Sequence, residues 1–232
     1  MRRSIVLIFY KSILKLTKKC IYCGSKEGLT KDHIPPKSLF VNPRPSNLIT
    51  VPCCNHCNNS FSMDDEYMQV MFSMRLGVHK KNAVKKNWDK ILRNLGRSES
   101  KGFYQSIIKS IKQVDVKTMD DIQLGKISTY EIDYNRITNV SDRIIKGLYY
   151  TTKKEILPLE YHVDSFLLEQ IDFNDNLSEL SNKFFQALST ATEIKIGETF
   201  SYRIKEMDFD HKSCLLYFSI YNEFNFFGMT SK

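Results

Sequence analysis

Four cysteines stand in two Cys-x-x-Cys pairs, Cys20 with Cys23 and Cys54 with Cys57, about thirty residues apart. Thiolates are soft ligands, and two such pairs match the donor set of a tetrahedral zinc site that leaves no coordination position open. Between the pairs lies Asp32-His33, followed by Ile34-Pro35-Pro36. A carboxylate beside an imidazole belongs to a different chemistry, because an imidazole with a pKa of about 6.5 exchanges protons at neutral pH. The cysteines are therefore expected to hold the chain while the Asp-His pair acts on something. His56 could replace a cysteine in a Cys₃His set, whereas Cys53 cannot open a Cys-x-x-Cys pair because position 56 is His. Cys214 stands alone and reads as a core residue in a strand.

The order is cysteine pair, Asp32-His33-Ile34-Pro35, Ser38, Asn47-Leu48, cysteine pair, and Asn58 directly after the last cysteine. In that order the stretch from 20 to about 67 resembles the HNH endonucleases, the ββα-metal nucleases with a Cys₄ zinc site. The rest of the chain looks like the C-terminal extensions of bacterial HNH proteins; a lone restriction-type nuclease and the nuclease component of a phage-defence system both fit the resemblance. The resemblance implies an endonuclease that hydrolyses phosphodiester bonds in DNA, with RNA as the other polymer. It makes Cys20, Cys23, Cys54 and Cys57 the ligands of a structural zinc, His33 the general base, and Asn47 the residue that orients that base by bonding backbone in the hairpin. It makes Asp32 and Asn58 the ligands of a catalytic Mg²⁺ or Mn²⁺.

Elementary chemistry agrees with those roles. Phosphodiester hydrolysis needs an activated water, a stabiliser for charge on the phosphate and help for the leaving oxygen. Magnesium takes hard oxygen ligands and keeps several waters, so one carboxylate and one amide form a sparse, open shell. Some family members carry a second His about four residues beyond the Asn58 position; here that position is Ser62. Water, Asp64 or Asp65 could complete the shell, although the two acids also read as charges in the first turn of a helix. Lys37 and Arg44 lie close enough in sequence to reach a phosphate. The alternative from another class is a zinc-containing nucleic-acid- or protein-binding module without catalytic activity.

These residues need elements to position them. Residues 20 to about 63, rich in Cys, Pro, Asn and Ser, read as short strands and loops around a metal. Tyr67, Val70, Met71 and Met74 then recur at helical spacing, which predicts a helix over 63–77 capped by Ser62. The stretch 82–96 reads as a second helix ended by Gly96, and 103–114 as a third with Ile107, Ile108, Ile111 and Val114 on one face. Residues 126–134 alternate like a strand. Residues 140–154 look helical, with Gly147 a weak spot, and 175–190 are a clear helix. From Phe200 the period becomes that of an antiparallel meander. The fold class is α+β: a zinc-stapled ββα module over 1–80, then a C-terminal domain over 81–232 of helices followed by antiparallel strands.

The chain has 232 residues and a formal net charge of +8, which favours a polyanionic partner. Between Arg75 and Lys117 twelve Lys or Arg meet only three acids, a candidate phosphate-contacting surface or a solvated helix face. Clustered Cys-x-x-Cys pairs argue against a secreted disulfide scaffold. The start, with Ile5–Tyr10 broken by Lys11 and Lys15, lacks a cleavage pattern and reads as a strand or amphipathic helix packed on the domain. No run approaches a membrane span, so the expected compartment is the cytoplasm and no membrane partner is expected. The C-terminal domain shows no helix-turn-helix; it is expected to dock a protein partner, such as an ATPase, or to control the nuclease.

Overall fold

The computed structural model describes residues 19–170 and 175–232; the strand or helix expected at the N-terminus falls outside them. In chain order the elements are β1 (Leu29–Ile34), β2 (Ile49–Cys54), α1 (Asn55–Met74), α2 (Asn82–Lys85), α3 (Trp88–Leu95), α4 (Lys101–Ser110), β3 (Lys112–Lys117), β4 (Gln123–Thr129), α5 (Tyr134–Lys153), β5 (His162–Leu167), α6 (Asp175–Leu188), β6 (Ile194–Ile196), β7 (Phe200–Met207), β8 (Asp210–Ile220) and β9 (Phe224–Ser231). The fold is mixed α+β, and every strand pairing is antiparallel among the described residues. β1 pairs with β2, β3 pairs with β4, and a five-stranded sheet runs β5-β9-β8-β7-β6.

α1 begins eight residues before the start that its apolar spacing predicts. The second cysteine knuckle is itself the helix N-terminus: Cys54 caps it, its Sγ accepting from the Cys57 amide at 3.5 Å. Ser62 is no cap, because its hydroxyl donates back to the Asn59 carbonyl at 2.8 Å inside the helix, a local bond that blurs the sequence signal. The stretch 82–96 is broken at Lys86–Asn87 into two helices, with the Gly96 amide closing the second onto Leu92. The helix expected over 103–114 stops at Ser110; Val114 belongs to β3, opposite Ile127 of β4. Pairing with a residue thirteen positions downstream decided this, which a helical apolar spacing cannot report. β4 ends at Thr129 and α5 already starts at Tyr134, capped by Asp133, whose carboxylate accepts from the Asn135 amide.

α1 and α5 form the central helical layer, with the β1–β2 hairpin on one side and the five-stranded sheet on the other. Phe72 of α1 stacks on Phe224 of β9, ring centroids 3.7 Å apart, and Phe218 stacks on Phe226 at 4.6 Å. Each fully buried side chain of this size contributes about 1.5–3 kcal/mol by leaving water. One buried cluster runs from Ile21, Ile34, Val51 and Met68 through Ile144 and Leu148 to Phe226. A division near residue 80 leaves no mark on it. Gly147 is a contact rather than a weakness: a Cβ there would overlap Ile34 Cγ1, so the missing side chain lets the hairpin lie directly on α5.

Candidate functional site

The hairpin register places Leu29 opposite Cys54 and His33 opposite Thr50. The second knuckle thus closes the base of the hairpin, beside the first. Cys20, Cys23, Cys54 and Cys57 bring their sulfurs within 4.8 Å of one another, and the cluster could hold a metal ion such as zinc. Cys23 Sγ and Cys54 Sγ are 3.6 Å apart, and none of the four is in a disulfide. The thiols cannot all ionise unaided. Burial and the sulfurs of Cys23 and Cys54 push the Cys57 thiol up. At Cys20, burial is outweighed by backbone hydrogen bonds from Cys54, Cys23 and Tyr22, which bring it to about 7. A soft cation among them would supply the missing charge. His56 is exposed and outside this set, as is Cys53, whose buried Sγ donates to the Cys54 carbonyl.

Successive strand residues point to opposite faces, and β1 obeys this: Asp32 and Ile34 are buried, whereas Lys31 is exposed and His33 half-buried. The two adjacent residues therefore meet different surroundings. His33 lies on the outer face near Lys37, Arg44 and Lys31. Burial and then the charge of Lys37 hold its pKa below the ordinary value, Arg44 and Lys31 acting in the same direction and Asp32 against. Arg44 is steadied by donating from Nε to the Lys37 carbonyl at 3.4 Å. Lys31 was legible in principle, since a residue two before His33 in a strand shares its face.

Asp32 looks inward, where its Oδ2 accepts from the Tyr22 hydroxyl at 2.7 Å and stands 3.5 Å from Arg143 Nε. Arg143, of α5, is itself buried, paired with Asp65 of α1 and laid over the Phe61 ring at 4.5 Å. Its Nε has no hydrogen-bond partner among the described residues. Burial raises Asp65 to about 6 against the pull of Arg143. Tyr22 also packs edge-on against Phe61, centroids 5.0 Å apart. A cavity of about 440 Å³ between α1 and α5 opens beside this group, lined by Tyr22, Phe61, Asp64, Asn139, Arg143 and Lys146. Nothing in the sequence marks Arg143, which lies 78 residues beyond Asp65.

The remaining site candidates separate. Asn58 is half-buried in the first turn of α1, and no hydrogen bond among the described residues joins it to Asp32. Asn47 does bond backbone, but not in the hairpin: its amide donates to the Lys195 carbonyl of β6 at 3.1 Å, tying the hairpin loop to the large sheet. Asp64 and Asp65 sit in the third turn of α1 because the helix starts early. Asp64 accepts from Arg136 Nε at 2.7 Å and from Asn139 at 3.2 Å, so both acids link α1 to α5. For a hard divalent ion, one oxygen of Asp32 and the Asn58 amide, both without hydrogen bonds among the described residues, are suitable in kind. Arg143 beside the same carboxylate opposes a second cation there.

No family model, no curated protein and no solved structure matches the chain. No helix among the described residues is long and apolar enough to cross a membrane.

Proposed function

We propose that the chain is a metal-dependent endonuclease of the HNH type, hydrolysing phosphodiester bonds in DNA. The observation that carries this reading is the outer face of the first hairpin: His33 is presented among Lys31, Lys37 and Arg44 on two strands whose base is drawn together by the cysteines. A phosphate seated on that face would meet three cations, and the imidazole is then available to accept a proton from the attacking water. By the resemblance Asp32 and Asn58 would hold the Mg²⁺ or Mn²⁺, which would supply charge stabilisation at the phosphate and the leaving oxygen; this reading requires the Asp32 carboxylate to leave Tyr22 and Arg143 and turn to the face of His33. The zinc is structural: four thiolates leave it no open position for substrate. A place in phage defence rests on the HNH resemblance, and a protein partner on a C-terminal domain without a helix-turn-helix.

A second reading is favoured by a specific observation. Asp32 is held in a buried group with Tyr22 and Arg143, which is how a structural carboxylate is kept. On that reading the hairpin binds nucleic acid or protein without cutting. Plasmid cleavage with added Mg²⁺ or Mn²⁺ separates the two, wild type beside His33→Ala, with zinc content measured on both. Cutting by wild type alone, at equal zinc, supports the nuclease. Retained DNA binding without cutting by either, in either ion, supports the binding module.

A further inference from the structure

A second surface stands apart from the hairpin. Helices α1, α3 and α4 enclose a trench of about 860 Å³, with Val70, Trp88, Leu95 and Ile107 along its floor and walls. Its lips are also apolar: Leu92 is 49% exposed, Ile108 49% and Tyr104 45%. Side chains of this kind half in water along one continuous cleft mark an interaction site more than scattered surface apolarity does. A closed pocket for a small ligand would bury most of its lining; this cleft is open along its lips.

The rim decides what fits. Lys80 and Lys85 border the trench, with one acid, Asp89, among them. Residues 80–110 carry nine Lys or Arg and two acids. Lys80, Lys85, Lys90 and Lys109 are exposed and make no ion pair among the described residues. A second copy of this chain docked trench to trench would bring the same positive charge. The chain's own first nineteen residues carry six Lys or Arg and no acid, the same sign as the rim. Nucleic acid would satisfy the rim, but beyond Trp88 and Tyr104 the trench offers its bases only aliphatic side chains, among them Val70, Leu95 and Ile107.

We propose that this trench is a docking site for an acidic amphipathic helix of a protein partner, apolar side chains inward and carboxylates toward the lysine rim. Such a helix places anchors at i, i+3 or i+4, and i+7 in an apolar groove, and complementary charge fixes its orientation and speeds its arrival. The proposal does not depend on the nuclease reading, because neither His33 nor the cysteines line the trench.

The test is selection from a displayed library of random 16-residue peptides on the full chain, followed by fluorescence anisotropy of the enriched peptides. The probe protein beside wild type is the double variant Leu92→Asp, Ile108→Asp, which changes half-exposed positions; unchanged metal content and melting temperature check its fold. Enriched sequences should carry the helical apolar spacing with Asp or Glu alongside, lose at least tenfold in affinity when those acids become Lys, and lose at least tenfold on the double variant. No enrichment, enrichment of peptides without acids, or equal binding by the double variant overturns the proposal. A single-stranded oligonucleotide whose binding falls tenfold in the double variant would reassign the trench to nucleic acid, and a dimer lost in that variant would reassign it to self-association; both overturn the acidic helix.

Discussion

The molecule contains two small antiparallel ribbons of nearly equal length, β1–β2 and β3–β4. A two-stranded ribbon is marginal by itself in water, so the support each receives decides what it can do. The first buries Asp32, Ile34, Val51 and Cys53, lies on α5 at Gly147 and is closed by two cysteine knuckles. The second has no buried residue along either strand. Val114, Leu124 and Ile127 are exposed there, and its visible ties are polar: Lys112 to Glu131 at 2.6 Å, Lys117 to Asp121 at 2.7 Å and Gln123 to Asp115. Exposed pairs of that kind add little stability. The residues capable of chemistry sit on the ribbon with a backing, as a site that must hold its groups within fractions of an ångström requires.

The largest effect expected from this contrast comes from the cysteines. Metal binding to a site that exists only in the folded chain is folding free energy. Chelation, or Cys54→Ser, should lower the melting temperature by roughly 10 °C or more, and hydrogen exchange should show β1–β2 opening while the five-stranded sheet keeps its protection. An unchanged melting curve in chelator would remove the clamp from the account.

Next is the buried charge group. Arg143→Met leaves Asp32 and Asp65 without their cation, at a cost of about 3–5 kcal/mol. Denaturant unfolding measures it, and a loss below about 1 kcal/mol would mean that the pair acts like a surface one. Smaller again is Gly147→Ala, whose new methyl must displace Ile34; overpacking of this kind costs about 1–3 kcal/mol. Ile34→Ala, which removes the Cγ1 and Cδ1 that the methyl would meet, should make the double variant less destabilised than the sum of the two single changes, and strict additivity would show that the two residues do not share the contact.

The smallest effect belongs to the second ribbon. Lys112→Ala should leave the melting temperature unmoved, and the amides of β3–β4 should exchange far faster than those of β1–β2. Equal protection in the two ribbons would end the comparison, and would mean that a further segment or partner covers the second.

The cysteine cluster could be read directly, because its signal is local. The two Cys-x-x-Cys pairs marked a metal cluster by spacing alone, and the four sulfurs converge. The α+β class, the helix at 175–188 and the antiparallel meander after Phe200 followed from apolar period. Misreadings came where a local pattern served a distant partner. Val114 fitted a helical face but pairs with Ile127. Asp64 and Asp65 looked like first-turn charges because a cysteine, an unusual cap, hid the true start of α1. Gly147 looked like a flaw because its neighbour, Ile34, is 113 positions earlier in the chain.

The sequence by itself determined which groups exist and their order: two thiol pairs, the Asp-His step, the asparagines, the basic tract and the periods of the main helices and strands. Only the tertiary structure decided which of them meet. It turned Asp32 toward Arg143 and His33 toward Lys31, Lys37 and Arg44, sent Asn47 to β6, and opened a lysine-rimmed trench between α1, α3 and α4. The physical reason is that period and capping act over a few residues of one element, whereas burial and charge pairing act through space between elements that the chain brings together only on folding.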